Sequence, residues 1–291
     1  MKQNHVRAKL KRGEPSFGTW LALPDPAAAR LMSGLGFDWL TCDMEHSGYN
    51  FETVANSFMG IAAGGAKLVI ASRDAAGLEE QAAAERDGGR HVQAEAVDIT
   101  DEASLHALRD RVLAAHGRVD GLVFNAVSRP MKAMGDDLAS WRASMETNAT
   151  GFFATVRAFA DAMAATGGGS VVNISSMQGM IGMNPWLYEG TTMGVPPDYF
   201  FHKGGMINLT RHLASHYGPQ KVRVNVVSPG GIFNPANPQA PAFMDKYGKM
   251  TMLGRLAEAS EVTGAVVFLL SDASTYVTGT NLVVDGGYTA K

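Results

Sequence analysis

The stretch Gly169-Ser-Val-Val-Asn-Ile-Ser-Ser176 decides the fold class, because it is a short apolar run that ends in two hydroxyl side chains. Such a run is typical of a strand that is buried on both faces of a parallel sheet. Tyr199-Phe-Phe-His-Lys203 follows in the same half of the chain. In a helix, a lysine four residues after a tyrosine lies on the same face, where its positive charge favours the ionised phenol. The two stretches together predict a parallel sheet with an acid/base site at a strand end.

Similar short apolar runs alternate with longer helical patterns from residue 66 onward, and this order predicts an α/β fold with a doubly wound parallel sheet. The pattern covers the whole C-terminal part of the chain, without an internal repeat. The predicted strands are Lys67–Ala71, His91–Val97, Gly121–Phe124, Gly169–Ile174, Val222–Val227 and Asn281–Val284, and the predicted helices are Ala76–Glu85, Glu102–His116, Leu138–Ala165, Tyr199–Tyr217 and Ala259–Leu270.

Composition narrows the class of protein. The chain has 291 residues, 46% hydrophobic and 18% charged, which is enough apolar material for one large α/β domain or two small ones. A net charge of −3 gives no electrostatic footprint for nucleic acid. Neither a signal peptide nor an apolar run of roughly 18 residues for a membrane helix is visible. Cys42 is the only cysteine, which excludes an intrachain disulfide and favours a reducing cytoplasm.

Residues from about 66 to 291 resemble the classical short-chain dehydrogenase/reductases, through the serine pair after the predicted strand and the Tyr-x-x-x-Lys spacing. The resemblance implies a Rossmann-like sheet and an oxidoreductase that interconverts a secondary alcohol and a ketone. It implies that Ser176 polarises the carbonyl, while Ser175 is structural. Tyr199 then transfers the proton, and Lys203 holds the nicotinamide ribose and supports the phenolate.

The same resemblance assigns a role to Asn148 and a set of cofactor contacts. Asn148 is expected to kink its helix and to anchor a proton-relay water. Arg73 suits the 2′-phosphate of NADP better than the ribose hydroxyls of NAD, so NADP is expected and NAD is the alternative. A solvated loop cation is the other interpretation of Arg73, and no metal site is expected. The implied cofactor-binding residues are Ser72, Arg73, Asp98, Ile99, Asn125, Ala126, Tyr199, Lys203, Pro229, Gly230 and Ile232.

The stretch between the catalytic serine and tyrosine is longer than is usual in the family. The extra residues lie within Met183–Pro197, whose prolines and glycines predict a loop beside the substrate mouth. Trp186, Tyr188 and Glu189 are candidates to contact a polar substrate of the sugar or polyol type. A loop packed on its own side chains is the alternative.

Three later segments complete the resemblance. Pro229-Gly-Gly-Ile232 resembles the turn that closes over the nicotinamide carboxamide, and residues 234–252 resemble the variable substrate lid. Tyr276–Gly287 resembles the last strand and the subunit-contact segment, which implies a homo-dimer or homo-tetramer. The expected ligand is a small molecule, with neither nucleic acid nor membrane as a partner.

The first part of the chain does not continue this pattern. The family's glycine-rich loop, which holds the cofactor pyrophosphate, should fall near residues 47–54. The chain reads Ser47-Gly-Tyr-Asn-Phe-Glu-Thr-Val54 there, so that only Gly48 coincides and Glu52 would repel a phosphate. Loss of this loop raises an alternative function, that of a catalytically impaired chimera or pseudoenzyme.

Residues from about 10 to 64 instead resemble the start of the HpcH/HpaI class II aldolases, which are (β/α)8 barrels. Asp43 and His46 match the acid/base pair of that family, which implies 2-keto-3-deoxy acid cleavage as a less favoured function. Only two of the eight βα units are present. We therefore predict an aldolase-like segment over 1–64 and a dehydrogenase-like domain over 65–291.

This organisation predicts that a barrel-derived segment replaces the first βα unit of the Rossmann-like sheet. Phe37–Met44 would then occupy the central strand, with later strands on both sides. Phe17–Leu23 could not pair beside it, so that residues 1–36 are expected to pack peripherally or to be poorly ordered.

Overall fold

The protein is described by a computed structural model that covers residues 18–21, 39–42, 67–87, 91–194, 196–235 and 238–291. The strands in these ranges pair in parallel, in three hydrogen-bonded sets with the orders β1-β2, β3-β4 and β5-β6-β7-β8. These strands are β1 (Gly18–Leu21), β2 (Trp39–Cys42), β3 (Leu68–Ser72), β4 (Val92–Ala96), β5 (Gly121–Phe124), β6 (Gly169–Ile174), β7 (Val222–Pro229) and β8 (Asn281–Val284).

The helices fall between the strands, as the alternation of the sequence predicts. Helix α2 shows the local cause of its limits: the Asp101 side chain accepts from the Ala103 N–H at its start, and Gly117 adopts a φ of 77° at its end. The α-helices are α1 (Ala75–Asp87), α2 (Glu102–His116), α3 (Leu138–Met145), α4 (Phe152–Ala165), α5 (Pro197–Tyr217), α6 (Pro241–Met250) and α7 (Ser260–Leu270).

The four-stranded sheet is covered on both faces. Val171 packs into an apolar cluster with residues of α2, α4 and α5. Its neighbour Val172 faces the other way and packs with Val262, Val266 and Leu269, the last three from α7. Alternate side chains of β6 therefore enter two different cores, which is why this strand reads as a continuous apolar run. The predicted α/β parallel sheet of the Rossmann-like type is confirmed.

The predicted helix Leu138–Ala165 is not a uniform α-helix. A π-helical turn, Glu146–Gly151, separates α3 from α4 and contains Asn148. A π turn widens the helix and reorients the side chains that it carries. The kink expected at Asn148 therefore takes the form of a π turn.

The prediction that Phe17–Leu23 could not pair beside Phe37–Met44 is wrong. β1 and β2 form a parallel pair in which Gly18 is opposite Trp39 and Leu21 is opposite Cys42. Residues 22–38 separate the two strands, and this length suffices for the crossover that a parallel pair needs. Strands that are consecutive in the chain commonly pair with each other, so local connectivity decides here.

The central position predicted for Phe37–Met44 does not appear in the described strands either, since Trp39–Cys42 is bonded to β1 and to neither β3 nor β5. A parallel pair of consecutive strands occurs in open sheets as well as in barrels, so the pairing of β1 with β2 gives no support to a barrel-derived first unit. The rest of residues 1–36, with the predicted periphery, lies outside the described residues, as do the residues between Ser47 and Ala66.

Candidate active site

The carboxyl ends of the parallel strands meet at one edge of the sheet, and the candidate site lies there. β6 ends at Ile174 and is followed directly by the two serines. The Ser175 hydroxyl donates to the carbonyl of Lys203 at 2.9 Å, so it ties the strand end to helix α5. The Ser176 hydroxyl accepts from the Gln178 N–H at 3.2 Å, which leaves its own proton for another acceptor. The division between a structural Ser175 and a polarising Ser176 stays a prediction.

A glycine contact sets the distance between the serine segment and helix α5. Ser176 caps a short 3₁₀ helix, Met177–Gly179. A Cβ at Gly179 would lie 2.7 Å from the carbonyl carbon and oxygen of Lys203, and one at Gly204 would lie 3.2 Å from the Gly179 oxygen. The two backbones therefore touch, and no side chain fits between them.

Helix α5 places Tyr199 and Lys203 one turn apart. It begins at Pro197, two residues before the predicted start, and its first turn carries the tyrosine. The Lys203 Nζ atom lies 5.8 Å from the centroid of the Tyr199 ring. It also donates to the Ile174 carbonyl at 2.6 Å, next to the serine pair. Lys203 thus joins the phenol to the end of β6, and two of its three N–H donors remain for a ligand.

Lys203 is buried, with only 4% of its surface exposed. Burial, followed by the nearby charge of Arg129, lowers the pKa of Lys203 from 10.5 to about 8. We expect the ammonium to titrate near pH 8 in the free enzyme, measured by NMR of the labelled lysine. Arg129→Met should move that pKa upward, because loss of a nearby positive charge favours the protonated lysine. Titration near 10.5 in both proteins would contradict the buried position.

The Asn148 side chain holds the loop after β5 through hydrogen bonds. Its amide group accepts from the Ser128 N–H and donates to the Ser128 carbonyl, both at 2.8 Å. It also donates to the Ser144 hydroxyl at 2.9 Å, and that hydroxyl donates in turn to the Asp198 carboxylate. Asn148, Ser144 and Asp198 are all buried. A polar chain therefore runs from the residue before Tyr199 to the β5 loop. The relay water expected at Asn148 stays a prediction.

Two members of this chain were not predicted from the sequence. Ser144 and Asp198 are 54 positions apart, and neither belongs to a motif. A carboxylate with only 1% of its surface exposed is costly to bury, and the hydroxyl bond offsets part of that cost. In the sequence, Asp198 is an aspartate in the first turn of a helix, where an acidic side chain usually interacts favourably with the helix dipole. That explanation does not indicate a partner such as Ser144.

An arginine and a neutral histidine contact the Tyr199 ring. The Arg129 guanidinium carbon lies 4.9 Å from the ring centroid. The His202 ring meets Tyr199 edge-on, at a centroid distance of 5.3 Å. Burial, then the charges of Lys203 and Arg129, lowers the pKa of His202 to about 3, so this imidazole is neutral at neutral pH. Neither Arg129 nor His202 was a predicted site residue.

The predicted adenosine contacts follow β3 and β4. Ser72 is the last residue of β3, and its hydroxyl accepts from the Asp74 N–H at 3.0 Å. Arg73 is exposed and makes no ion pair within the described part of the chain. The hydroxyl and backbone N–H of Thr100 lower the pKa of Asp98, and Arg73 adds to the effect from nearby. Ile99 abuts Gly151, where a Cβ would lie 3.0 Å from its side chain.

The remaining predicted cofactor contacts lie after β5 and β7. Asn125 and Ala126 directly follow β5 and are exposed. Pro229 ends β7 and is buried, whereas Gly230 and Ile232 follow it and are half-buried. Apart from Tyr199 and Lys203, which lie on α5, the predicted contacts follow or end a strand at the carboxyl edge. Arg73, which has no ion-pair partner within the described residues, and Lys203, which has spare donors, fit the phosphate and the ribose of a dinucleotide.

Tyr247 of α6 fixes the turn after β7, a role that was not predicted from the sequence. Its hydroxyl accepts from the Gly231 N–H and lies 3.6 Å from the Met177 sulfur. Burial raises the pKa of Tyr247 to about 12, so the phenol stays protonated. A Cβ on Gly230 would lie 2.9 Å from the Asp285 Cα atom. The lid helix, the β7 turn and the serine segment are thus in direct contact.

The loop over Met183–Pro197 packs against the lid and also approaches the site. Leu187 is buried in one apolar cluster with Met177, Phe243 and Tyr247, and the Tyr188 ring lies 5.5 Å from that of Phe243. Burial raises the pKa of Tyr188, and Tyr199 is among the nearby groups that contribute. These contacts support the alternative of a loop packed on its own and neighbouring side chains, and substrate contact by Trp186, Tyr188 and Glu189 stays a prediction.

Lys246 of α6 ties this loop to the lid. Its Nζ atom donates to the carbonyl oxygens of Trp186 at 2.7 Å and Glu189 at 3.0 Å. It lies 5.3 Å from the Trp186 ring and 3.8 Å from the Glu189 carboxylate. The candidate substrate contacts Trp186 and Glu189 are therefore held by a lysine of the lid.

We expect Lys246→Met to raise the substrate KM severalfold with a smaller change in kcat, because the loop loses two charge-assisted hydrogen bonds that do not involve the reacting groups. Lys249→Met is the matched control on the same helix, since Lys249 pairs with the exposed Asp245. Steady-state kinetics measures both. Equal KM values in the two variants would show that the lysine contacts do not hold the loop.

An apolar cavity of about 610 Å³ lies beside the site. Pro197 and Phe200, which flank Asp198 and Tyr199 in the chain, belong to its wall. Its lining contains no charged side chain, so it suits the uncharged body of a small molecule. The lining residues are Met134, Gln178, Gly179, Met180, Ile181, Gly182, Met183, Pro197 and Phe200.

The described residues offer neither a metal centre nor a membrane-spanning helix. No group of three or more His, Cys, Asp or Glu side chains within them is arranged to hold a metal ion. None of their helices combines the length and apolar character that crossing a bilayer requires. The predicted aldolase pair Asp43 and His46, and residues 47–54 at the position of the glycine-rich loop, lie outside these residues.

Comparison with known proteins agrees with the predicted resemblance. The sequence model described as enoyl-(acyl carrier protein) reductase matches residues 56–289 and so begins before the predicted boundary at residue 65. The cis-4-hydroxycyclohexanecarboxylate dehydrogenase of Sinomonas cyclohexanicum is 37% identical over 81% of this chain and 95% of its own. The galactitol 2-dehydrogenase (L-tagatose-forming) of Cereibacter sphaeroides is 37% identical over 78% of this chain and 87% of its own.

Solved structures give the same result. A short-chain type dehydrogenase/reductase from Mycobacterium marinum aligns with a TM-score of 0.69 at 29% identity, over 82% of this chain and 90% of that one. A gluconate 5-dehydrogenase from Burkholderia cenocepacia J2315, in complex with NADP and tartrate, aligns with a TM-score of 0.70 at 26% identity, over 94% and 96%. This chain is a member of the short-chain dehydrogenase/reductase family and an oxidoreductase of that type.

Proposed function

We propose that this protein interconverts a secondary alcohol and a ketone with NADP, through Ser176, Tyr199 and Lys203. One observation carries the proposal: Lys203 contacts both the phenol of Tyr199 and the strand end that bears the serines. A phenol, a hydroxyl and an ammonium at one point suit proton transfer at a carbonyl oxygen. Asn148 holds the neighbouring loop in place.

Each side chain has a separate task in the proposed reaction. The nicotinamide ring, when bound, supplies or takes up the hydride. The Ser176 hydroxyl donates a hydrogen bond to the substrate oxygen, keeps its own proton, and holds the carbonyl over the phenol. Tyr199 gives its proton to that oxygen during reduction and takes it back during oxidation. Lys203 stabilises the phenolate and uses its remaining donors for the ribose hydroxyls.

The relatives support a secondary alcohol as the substrate class. Their names specify a hydroxylated ring acid and a polyol, which differ in shape but share a secondary hydroxyl group. The apolar cavity beside α5 suits a ring or a short carbon skeleton. We therefore propose a small cyclic or polyol-like alcohol, with the Met183–Pro197 loop at the mouth of the site.

NADP is the proposed cofactor, with NAD as the weaker alternative, because Arg73 offers a guanidinium beside Ser72 at the end of β3 that has no ion-pair partner within the described residues. Titration of NADPH and NADH, followed by cofactor fluorescence, tests this choice. We expect Arg73→Met to weaken NADPH about 10- to 100-fold and NADH little, as a charge-assisted hydrogen bond predicts. Arg109→Met is the control, since Arg109 pairs with Asp110 on the surface of α2.

The same titration tests whether the chain is a working enzyme. No binding of either cofactor at millimolar concentration would contradict the dehydrogenase proposal and favour the pseudoenzyme alternative. NADPH binding followed by ketone-dependent oxidation of NADPH supports the proposal. The resemblance of residues 10–64 to an aldolase adds no activity to it.

A homo-oligomer is part of the proposal. The surface of α3 and α5 exposes Leu138 and Phe201, and the Phe201 and Trp141 rings are tilted against each other with centroids 5.4 Å apart. Phe201 has 61% of its surface exposed in the single chain, which is unusual for a large aromatic side chain away from an interface. Light scattering after size exclusion should give a dimer or tetramer, and Phe201→Glu should yield a smaller species. A monomeric wild-type protein would contradict the proposal of a homo-oligomer.

A further inference from the structure

Arg129 holds a position that the proposed reaction does not use. It follows Ser128, whose N–H and carbonyl are both bonded to the buried Asn148 amide. Two hydrogen bonds of 2.8 Å therefore fix the backbone of the residue directly before Arg129. The side chain reaches across to the catalytic ring, with its guanidinium carbon 4.9 Å from the ring centroid.

Within the described part of the chain, the Arg129 guanidinium forms neither an ion pair nor a side-chain hydrogen bond. Arg129 is exposed, and its guanidinium lies over the Tyr199 ring. The carboxylate of Asp198, the residue before Tyr199, has 1% of its surface exposed and accepts the Ser144 hydroxyl. Lys203 and the neutral His202 also lie near Arg129, so none of these described neighbours is an anion available to offset its positive charge.

We propose that Arg129 binds a carboxylate group carried by the substrate, so that the preferred substrate is a hydroxy acid rather than a neutral alcohol. This inference rests on the proposed function of the site. A guanidinium forms two parallel hydrogen bonds with a carboxylate, which fixes direction as well as distance. The uncharged wall of the adjacent cavity suits the carbon skeleton of such a molecule. Arg129 would thereby select the substrate and orient its hydroxyl group toward Tyr199.

The test compares a cyclic hydroxy acid with its carboxamide, which has nearly the same shape and no charge. We expect wild type to favour the acid about 10- to 100-fold in kcat/KM, as one charge-assisted pair predicts. Arg129→Met should bring that ratio close to one, and Arg129→Lys should restore part of it. Arg109→Met, the surface control, should keep the wild-type ratio.

Three results would overturn the inference: equal use of acid and amide by wild type, an unchanged ratio in Arg129→Met, or an Arg129→Met defect confined to NADPH affinity. The last would assign the guanidinium to the cofactor. If neither alcohol is oxidised, the proposed function fails, and calorimetric binding still decides on Arg129. If wild type binds the acid more tightly than the carboxamide and Arg129→Met loses this difference, the result supports a carboxylate site at Arg129. If wild type binds the two compounds equally, the result contradicts that site.

Discussion

Tyr199→Phe should lower kcat for alcohol oxidation by a factor of about 10²–10⁴, because the variant lacks the group that accepts the alcohol proton. The ring itself is retained. Its contacts with Arg129 at 4.9 Å, His202 at 5.3 Å and Lys203 at 5.8 Å are made by the aromatic face and edge. We therefore expect NADPH affinity and melting temperature to change little, which separates a chemical loss from a structural one.

Tyr188→Phe is the matched control for this experiment. Tyr188 is another half-buried tyrosine close to the site, and its hydroxyl has only a long hydrogen bond of 3.4 Å from Gln178. We expect less than a tenfold change in kcat. If Tyr188→Phe were inactive and Tyr199→Phe active, the assignment of the acid/base residue would have to be exchanged.

Gly179→Ala should reduce kcat/KM by about 10²-fold, although Gly179 has no reactive group. Its Cβ would lie 2.7 Å from backbone atoms of Lys203, which cannot rotate away as a flexible side chain can. The serine segment and α5 must then separate by several tenths of an ångström. Ser176 is on one side of this contact and Lys203 on the other. A misplacement approaching 1 Å can reduce catalysis about 10²-fold.

Gly205→Ala provides the control on the same helix. A Cβ at Gly205 meets nothing within 4 Å, and the residue lies inside α5. Replacement by alanine should stabilise the protein by about 0.4–1 kcal/mol with activity retained, because alanine has less conformational freedom in the unfolded chain. Thermal unfolding and steady-state kinetics on the two alanine variants would distinguish close packing from a general effect on the helix. Similar activity in both would contradict the contact.

The central part of the site could be predicted because its residues are close in sequence or share one element. Lys203 follows Tyr199 by one helical turn, and the serine pair directly follows a strand. The pattern of β6 also placed that strand between two cores. The polar chain from Asp198 to Asn148 could not be found this way. Its members come from elements whose contact depends on the complete fold, and each side chain alone has an ordinary local explanation.

The hydrogen bond from the Gly231 N–H to the Tyr247 hydroxyl could not be predicted for a similar reason. The turn after β7 was recognised, but its partner comes from the lid, 16 positions later. The error at β1 has another origin. The analogy with a complete Rossmann-like sheet puts Phe37–Met44 in the central strand. In that position both neighbours of the strand are later strands, so the analogy leaves no room for Phe17–Leu23 beside it. The observed pair follows from connectivity alone, which was the more direct argument.

The sequential order of β5, β6, β7 and β8 has a consequence for biosynthesis. Each strand pairs with the one made just before it, so the sheet can grow during translation without waiting for distant segments. The turn after β7 is different, because the Gly230 N–H donates to Val284 of β8 and Gly230 abuts Asp285. A nascent chain that has not released β8 from the ribosome therefore lacks support for one wall of the candidate site. We expect activity to appear only after that strand has emerged.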